Sequence, residues 1–176
     1  YDRIPGKRFA VLYSGNMGLA QGLESVIKAA DILQKYPIDF KFVGSGVRQK
    51  ALKTKADKLG LKNVVFLPVQ KKEELIKLIK KASVCLVPLK NNPLFKNAIP
   101  SKMFEYMACG RPVIVSISGE VTEIIKKAKS GLISSPEDAN SIAESILYYY
   151  NNRDKIIEQG RNGVMYVKEN VRKEVL

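Results

Sequence analysis

At 176 residues, 45% of them hydrophobic, the chain has the length for one domain with one good core. Its 30 Lys and Arg against 17 Asp and Glu give a net charge of +13, which suits anionic partners (nucleotides, nucleic acid, an acidic membrane leaflet) and equally suits a plain lysine-rich solvated surface. There is no histidine, so the commonest general base and metal ligand is excluded from this chain. No apolar run reaches the ~18 residues that a membrane span needs, and no signal segment opens the sequence, so the expectation is a cytoplasmic protein or one whose targeting segment lies outside this sequence. Cys85 and Cys109 sit within apolar stretches and read as small buried hydrophobes rather than as a disulfide or a metal motif.

In chain order, Arg8–Ser14 reads as a buried strand, and Leu19–Tyr36 carries apolar residues at helical spacing until Pro37. Asp39–Val43 is a second strand, followed by Gly44-Ser45-Gly46 and a helix over Val47–Leu59 that Gly60 ends. Asn63–Leu67 is a third strand. Lys71–Ala82 puts Leu75, Ile76, Leu78 and Ile79 on one helix face and leaves a lysine stripe for solvent. Ser83–Leu89 is a fourth strand, and a polar, turn-rich segment from Lys90 to Ala98 follows it. Pro100–Cys109 reads as a helix with Pro near its first turn and Gly110 past its end. Arg111–Ser116 is a fifth strand, Gly119–Ala128 a short helix, and Gly131–Ser134 a brief sixth strand. Ser135-Pro136-Glu137-Asp138 reads as a capped start, with Pro in the first turn, of a helix to Asn151. A last helix covers Asp154–Val167.

Strands that alternate with helices call for a parallel sheet covered on both faces, because parallel neighbours need crossover connections. Right-handed crossovers favour a doubly wound, Rossmann-like α/β sheet of about six strands, which binds ligands outside the carboxyl ends of its strands. The loops there carry the candidate chemistry. Ser14-Gly15-Asn16-Met17-Gly18 lets a ligand approach the backbone ahead of a helix start that attracts phosphate, although an unliganded tight turn has the same appearance. It lacks the Gly-Lys-Ser/Thr of a P-loop. Gly44-Ser45-Gly46 closes the second strand in the same manner, and the third ends at Phe66-Leu67-Pro68, a backbone edge that a flat base could meet.

The densest cluster runs from Ala98 to Pro112. Its helix start brings free N–H groups, the Ser101 hydroxyl and the Lys102 ammonium to one anion-binding spot. Glu105, three residues on, shares that face and can accept a pair of hydrogen bonds from ribose hydroxyls, or else pair with Lys102 on the surface.

Five segments in this order resemble the carboxyl-terminal domain of retaining GT-B glycosyltransferases of family 4 (group 1): Gly15-Asn16-x-Gly18-x-x-Gln21-Gly22-Leu23, Phe42-Val43-Gly44-x-Gly46, Asn63-Val64-x-Phe66-Leu67, the run from Pro100-Ser101-Lys102 through Glu105 to Ile114, and Gly131-Leu132-Ile133. The likeness covers about Phe9 to Val167 and leans toward the bacterial surface-polysaccharide branch that transfers N-acetylated aminosugars. It implies one donor-binding domain over 1–176, with a linker at 1–7 and terminal helices over 152–176. It also implies a separate amino-terminal acceptor domain in cis that holds the active-site histidine, so no catalytic residue is expected in this chain. By position, Gly15, Asn16, Gly44, Leu67, Ser101, Lys102 and Glu105 would bind the nucleotide, and Asn97, Ala98, Ile99 and Pro100 the donor sugar. Glu105 matches the second glutamate of the family's Glu-x7-Glu motif, and Asn97 stands where the first would be. Asn16 and Gln21 replace the Arg and Lys that commonly flank the diphosphate, which leaves Lys102 to compensate.

The resemblance implies a nucleotide-diphosphate-sugar donor, UDP-linked by preference, with no metal or other cofactor, and a glycan or lipid-linked acceptor in polysaccharide biosynthesis. The positive surface suits peripheral contact with an anionic membrane, and no groove-reading helix or aromatic-basic motif points to nucleic acid. The isolated chain is expected to bind nucleotide weakly without transferring sugar. The alternatives are a non-enzymatic nucleotide-binding module and a GT-B-like sugar-nucleotide epimerase.

Overall fold

The computed structural model describes residues 8–95 and 97–171; the expected linker at 1–7 and the last five positions of the carboxyl-terminal stretch lie outside the described residues. Six strands form one sheet: β1 (Phe9–Ser14), β2 (Ile38–Val43), β3 (Val64–Leu67), β4 (Val84–Pro88), β5 (Val113–Ser116) and β6 (Gly131–Ile133). Every pairing is parallel and the order is β3-β2-β1-β4-β5-β6. The crossovers are α1 (Leu23–Ile32), α2 (Gln49–Lys58), α3 (Lys72–Lys81), α4 (Ser101–Ala108) and α5 (Glu120–Ala128), and α6 (Ala139–Asn151) and α7 (Arg153–Asn170) close the chain. This is the Rossmann-like doubly wound sheet that the alternation predicts.

Strand periodicity divides the core between the two faces. Phe9, Val11 and Tyr13 of β1 join Phe40, Phe42, Val84 and Leu86 beneath α1 and α6. Leu12 of β1 points the other way, with Cys85, Val87, Met103, Met107, Val113 and Val115. Both cysteines are buried and unbridged, as expected. The chain runs outward from β1 in both directions, so the order reverses between β1 and β4, the place where doubly wound sheets form a ligand crevice at the carboxyl ends of their strands.

Most boundaries shift by one to three residues, and two helix starts depart from the sequence reading for a backbone reason. The first helix is Leu23–Ile32 rather than Leu19–Tyr36: Gly22 adopts the left-handed φ of 59° just before it, and Leu33–Tyr36 is a turn. The helix α6 is capped by Asp138, whose side chain accepts from Ser141 N at 3.1 Å. Pro136 and Glu137 therefore precede the helix instead of forming its first turn, and Glu137 is itself left-handed at φ 59°.

Helix α7 lies against α4 because two of its glycines allow it. A Cβ at Gly160 would stand 2.2 Å from the carbonyl oxygen of Gly110, and one at Gly163 would press on Met107 at 3.2 Å. This contact holds from behind the helix that leads into the crevice. The variant Gly160→Ala is expected to lower unfolding free energy by about 1–3 kcal/mol despite alanine's better helix propensity, because backbone cannot move aside as a side chain can. Urea denaturation measures this, and stability at or above wild type would show that the α4–α7 contact has slack.

Candidate nucleotide-binding site

The first three strands end level with one another, Ser14 beside Val43 and Val43 beside Leu67. Hydrogen bonding continues past their ends: Gly15 N donates to Val43 O (2.9 Å), Gly44 N to Leu67 O (3.0 Å) and Met17 N to Ser45 O (2.7 Å). The exit turns therefore stack as an extension of the sheet. Gly15 (φ 126°) and Gly44 (φ 136°) approach so closely that a Cβ on Gly44 would lie 2.2 Å from Gly15 O. Glycine is required at position 44 both for its backbone angle and for the space.

Two tyrosines fasten this platform from below. Tyr106 of α4 is buried, and its hydroxyl accepts from Ser14 N at 2.9 Å and shares a 2.9 Å hydrogen bond with Ser14 Oγ. Tyr13 is equally buried and donates from its hydroxyl to Asn16 O at 2.5 Å. Burial raises the pKa of both phenols, Tyr106 more than Tyr13, so both stay neutral donors and acceptors.

Above Tyr13 stands Lys102. Its Nζ lies 4.4 Å from the centre of the Tyr13 ring and donates to the Tyr13 hydroxyl at 3.2 Å. It also comes within 2.7 Å of where a Gly15 Cβ would be, so the ammonium reaches the backbone of the first turn. Burial lowers the Lys102 pKa to about 8, and the more distant Glu105 carboxylate opposes the shift. The ammonium turns to Tyr13 and not to Glu105, which removes the surface-pair reading of that glutamate. The α4 N-terminus opens beside it: Pro100 is the N-cap, no side chain caps the first turn, and Ser101 is exposed. Its free N–H groups add a positive dipole end to the lysine charge.

A cleft of about 290 Å³ opens over the exit turns, lined by Gly15, Asn16, Gly44, Ser45, Val69, Gln70 and Leu75 among others. Of the residues expected from sequence, Gly15, Asn16, Gly44 and Lys102 are therefore brought together. Leu67 ends β3 and lends its carbonyl to Gly44, but Val69 and Gln70 beyond it line the cleft. Asn97, Ala98, Ile99 and Pro100 lie on the β4–α4 connection and Ser101 opens α4, all outside that cleft, with Asn97 and Ile99 exposed. Glu105 is half-buried on α4, one turn beyond Lys102. Asn16 and Gln21 close over Gly18, where Gln21 Oε1 accepts the Gly18 N–H at 3.0 Å and the Asn16 amide would meet a Gly18 Cβ at 2.7 Å. These two amides shape the turn and bring no charge to it. Tyr13, Tyr106, Val69 and Gln70 were not singled out from sequence. The available signal for the tyrosines was a hydroxyl inside an otherwise apolar strand or helix face.

The family model for "Glycosyl transferases group 1" matches residues 2–163 of this sequence. The chain belongs to the group 1 glycosyl transferases. It is 36% identical over 113 residues to the putative colanic acid biosynthesis glycosyl transferase WcaI of Escherichia coli, which covers 64% of this chain and 28% of that protein. It is 31% identical over 173 residues to an uncharacterized glycosyltransferase of Methanocaldococcus jannaschii, covering 94% of this chain and 43% of the other. Thus the chain spans less than half the length of these relatives.

Among solved structures, the carboxyl-terminal domain of a group 1 family protein (LpcC) from Francisella tularensis superposes with a TM-score of 0.79 at 21% identity, covering 97% of this chain and 89% of that one. Anabaena HepE in complex with UDP and glucose gives a TM-score of 0.78 at 19% identity, over 92% of this chain and 44% of the other. These likenesses establish the fold of this chain as one Rossmann-like domain matching those of GT-B glycosyltransferases. Among the described residues no helix is long and apolar enough to cross a membrane, and no group of three or more His, Cys, Asp or Glu is placed to hold a metal ion.

The Tyr106–Ser14 bond should be measurable on its own. Replacing Tyr106 with Phe leaves a buried Ser14 N–H without its acceptor, which is expected to cost about 1–3 kcal/mol of stability with little change in volume. Chemical denaturation reads it, and a loss well below that range would mean that the first turn does not depend on α4.

Proposed function

We propose that the chain is the donor-binding domain of a retaining glycosyltransferase. It binds a nucleoside-diphosphate sugar, UDP-linked by preference, for transfer to a glycan or lipid-linked acceptor in surface-polysaccharide biosynthesis. The single observation that carries the reading is Lys102: a largely buried ammonium whose hydrogen-bond and ring partners among the described residues are the Tyr13 hydroxyl and ring, with the Glu105 charge acting on it from further off, held against the Gly15 turn at the open end of α4. A desolvated cation beside free backbone N–H groups suits an anion, and a diphosphate fits that pairing. In this reading Gly15, Asn16 and Lys102 take the diphosphate. The neighbouring cleft at Gly44, Val69 and Gln70 takes the base, Glu105 the ribose, and Asn97 to Pro100 the sugar.

Supporting this are the relatives, which include putative colanic acid biosynthesis glycosyltransferases, and the UDP and glucose held by HepE. The acceptor and the catalytic histidine belong to an amino-terminal domain in cis, so this chain alone binds nucleotide without transferring sugar. The positive surface favours an acceptor presented at an anionic membrane face. A non-enzymatic module or an epimerase would use the same nucleotide site, and product analysis of the whole protein separates these from transfer.

Isothermal titration with UDP, GDP and their sugars tests the site. The variant Lys102→Met keeps the aliphatic stem on Tyr13 but removes the charge, and is expected to weaken UDP binding by ~1.5–3 kcal/mol, the worth of hydrogen bonds to a charged group. The apo protein should be at least as stable as wild type at neutral pH, because a cation that is disfavoured by burial is gone. In the wild type, UDP affinity should fall as pH rises through about 8, where Lys102 loses its proton. Apo stability carries the opposite sign: above about 8 the unfolded chain binds the extra proton, so this lysine's contribution rises with pH toward 10.5. Equal UDP affinity in Lys102→Met would sink the assignment. Glu105→Ala is expected to cost ~1–3 kcal/mol of UDP binding from lost ribose hydrogen bonds, and unchanged affinity would remove it from the site.

A further inference from the structure

Glu137 stands in the β6–α6 turn with a left-handed backbone, one of two non-glycine residues with positive φ among the described residues. L side chains other than Asn and Asp rarely adopt this conformation, and glycine would serve the turn with less strain. What glycine lacks is the carboxylate. Glu137 Oε2 accepts the backbone N–H of Asn91 at 2.9 Å, across 46 positions of sequence.

The turn that carries Glu137 is held on all sides. Ser116 Oγ donates to Ser135 O (3.0 Å), Ser135 N donates to Ser141 Oγ (2.9 Å), and Asp138 caps α6 through Ser141 N (3.1 Å). The segment it grips is held in few places. Lys90 N donates to Ala20 O at 2.8 Å, and Asn91 N to Glu137. Beyond these, the hydrogen bonds of 92–98 among the described residues are internal: Asn92 N to Lys90 O, Leu94 N to Asn92 Oδ1, Phe95 N to Asn92 O and Ala98 N to Phe95 O. The segment then reaches Pro100, the N-cap of α4. Gly22 is the meeting point of the three connections, since a Cβ there would lie 3.4 Å from Lys90 Cγ and 3.6 Å from Glu137 Cγ.

We infer that Glu137 is a positioning residue: its carboxylate fixes the departure of the 91–99 segment from the sheet and thereby the placement of Asn97, Ala98 and Ile99 relative to the α4 N-terminus. Its consequence for the donor rests on the reading that Asn97–Pro100 face the transferred sugar. Under that reading, Glu137 governs how tightly the sugar is held and leaves the nucleotide contacts at Gly15, Gly44 and Lys102 alone.

The experiment combines hydrogen exchange with titration, on wild type, Glu137→Ala, Glu137→Gln and Glu137→Gly, with UDP and UDP-N-acetylglucosamine as probes. In Glu137→Ala the amides of 91–98 should exchange roughly tenfold faster while those of α1 and α6 keep their protection. UDP affinity should stay within about twofold, and UDP-N-acetylglucosamine affinity should fall roughly fivefold. Glu137→Gln retains an acceptor oxygen and should stay near wild type. Glu137→Gly relieves the backbone yet should loosen the segment as alanine does. Unchanged exchange at 91–98 in both Glu137→Ala and Glu137→Gly overturns the inference. Faster exchange with both ligands bound as in wild type upholds the tether and overturns the sugar assignment of Asn97–Pro100 instead.

Discussion

The close passage of the Gly44 backbone under Gly15 is the constraint on which the carboxyl edge of this sheet depends. With no Cβ on Gly44, the exits of β1 and β2 lie in contact, and the ladder runs on past the strands through Gly15, Gly44 and Met17. A turn built this way is an extension of the sheet and shares its rigidity. It presents backbone to the crevice with little loop entropy left to lose when a ligand arrives. Tyr106 adds a second tie from a different element, so the orientation of α4 and that of the first turn are set together.

That coupling explains why α4 is braced so firmly from behind. Gly160 and Gly163 let α7 settle on the Gly110 and Met107 end of α4, and Tyr106 holds its other side to β1. A single displacement of α4 would move Lys102, the open helix start and the Ser14 anchor at once. Lys102 makes the arrangement electrostatically expensive in the free protein: the ammonium rests on an aromatic face in a largely buried position with no carboxylate on it. In the proposed reading, the cost of that burial is what an arriving anion offsets. Asn16 and Gln21 bring no charge to the site and close the turn over Gly18.

Much of the fold was legible as pattern. Alternating apolar runs and helical stripes placed all six strands within one or two residues, and the parallel, doubly wound arrangement followed from them. The errors fell where one residue's backbone angle overrode its neighbours' propensity. Gly22 delays α1, and the cap signal at Ser135-Pro136 is displaced to Asp138 because Glu137 leaves the helical region. The candidate cleft was legible in Gly15 and Gly44, and the lysine beside it in the run that also carries Ser101 and Glu105. Tyr13 and Tyr106 were hidden, because in a periodic apolar pattern a tyrosine counts as core until its hydroxyl finds a partner. The contact of Glu137 with Asn91 was equally hidden, since nothing local joins residues 46 apart.

What the sequence determined by itself is therefore the sheet, the edge at which it binds and the residue types available there. Each of these follows from interactions that repeat at short, regular spacing or from a glycine that only a special backbone angle requires. What only the tertiary structure decided is which partner each polar side chain takes. Lys102 lies near Glu105 along the helix and turns to Tyr13 across the crevice instead, because the sheet brings that ring and the Gly15 turn within reach and burial strips away the water that would let the charge point elsewhere.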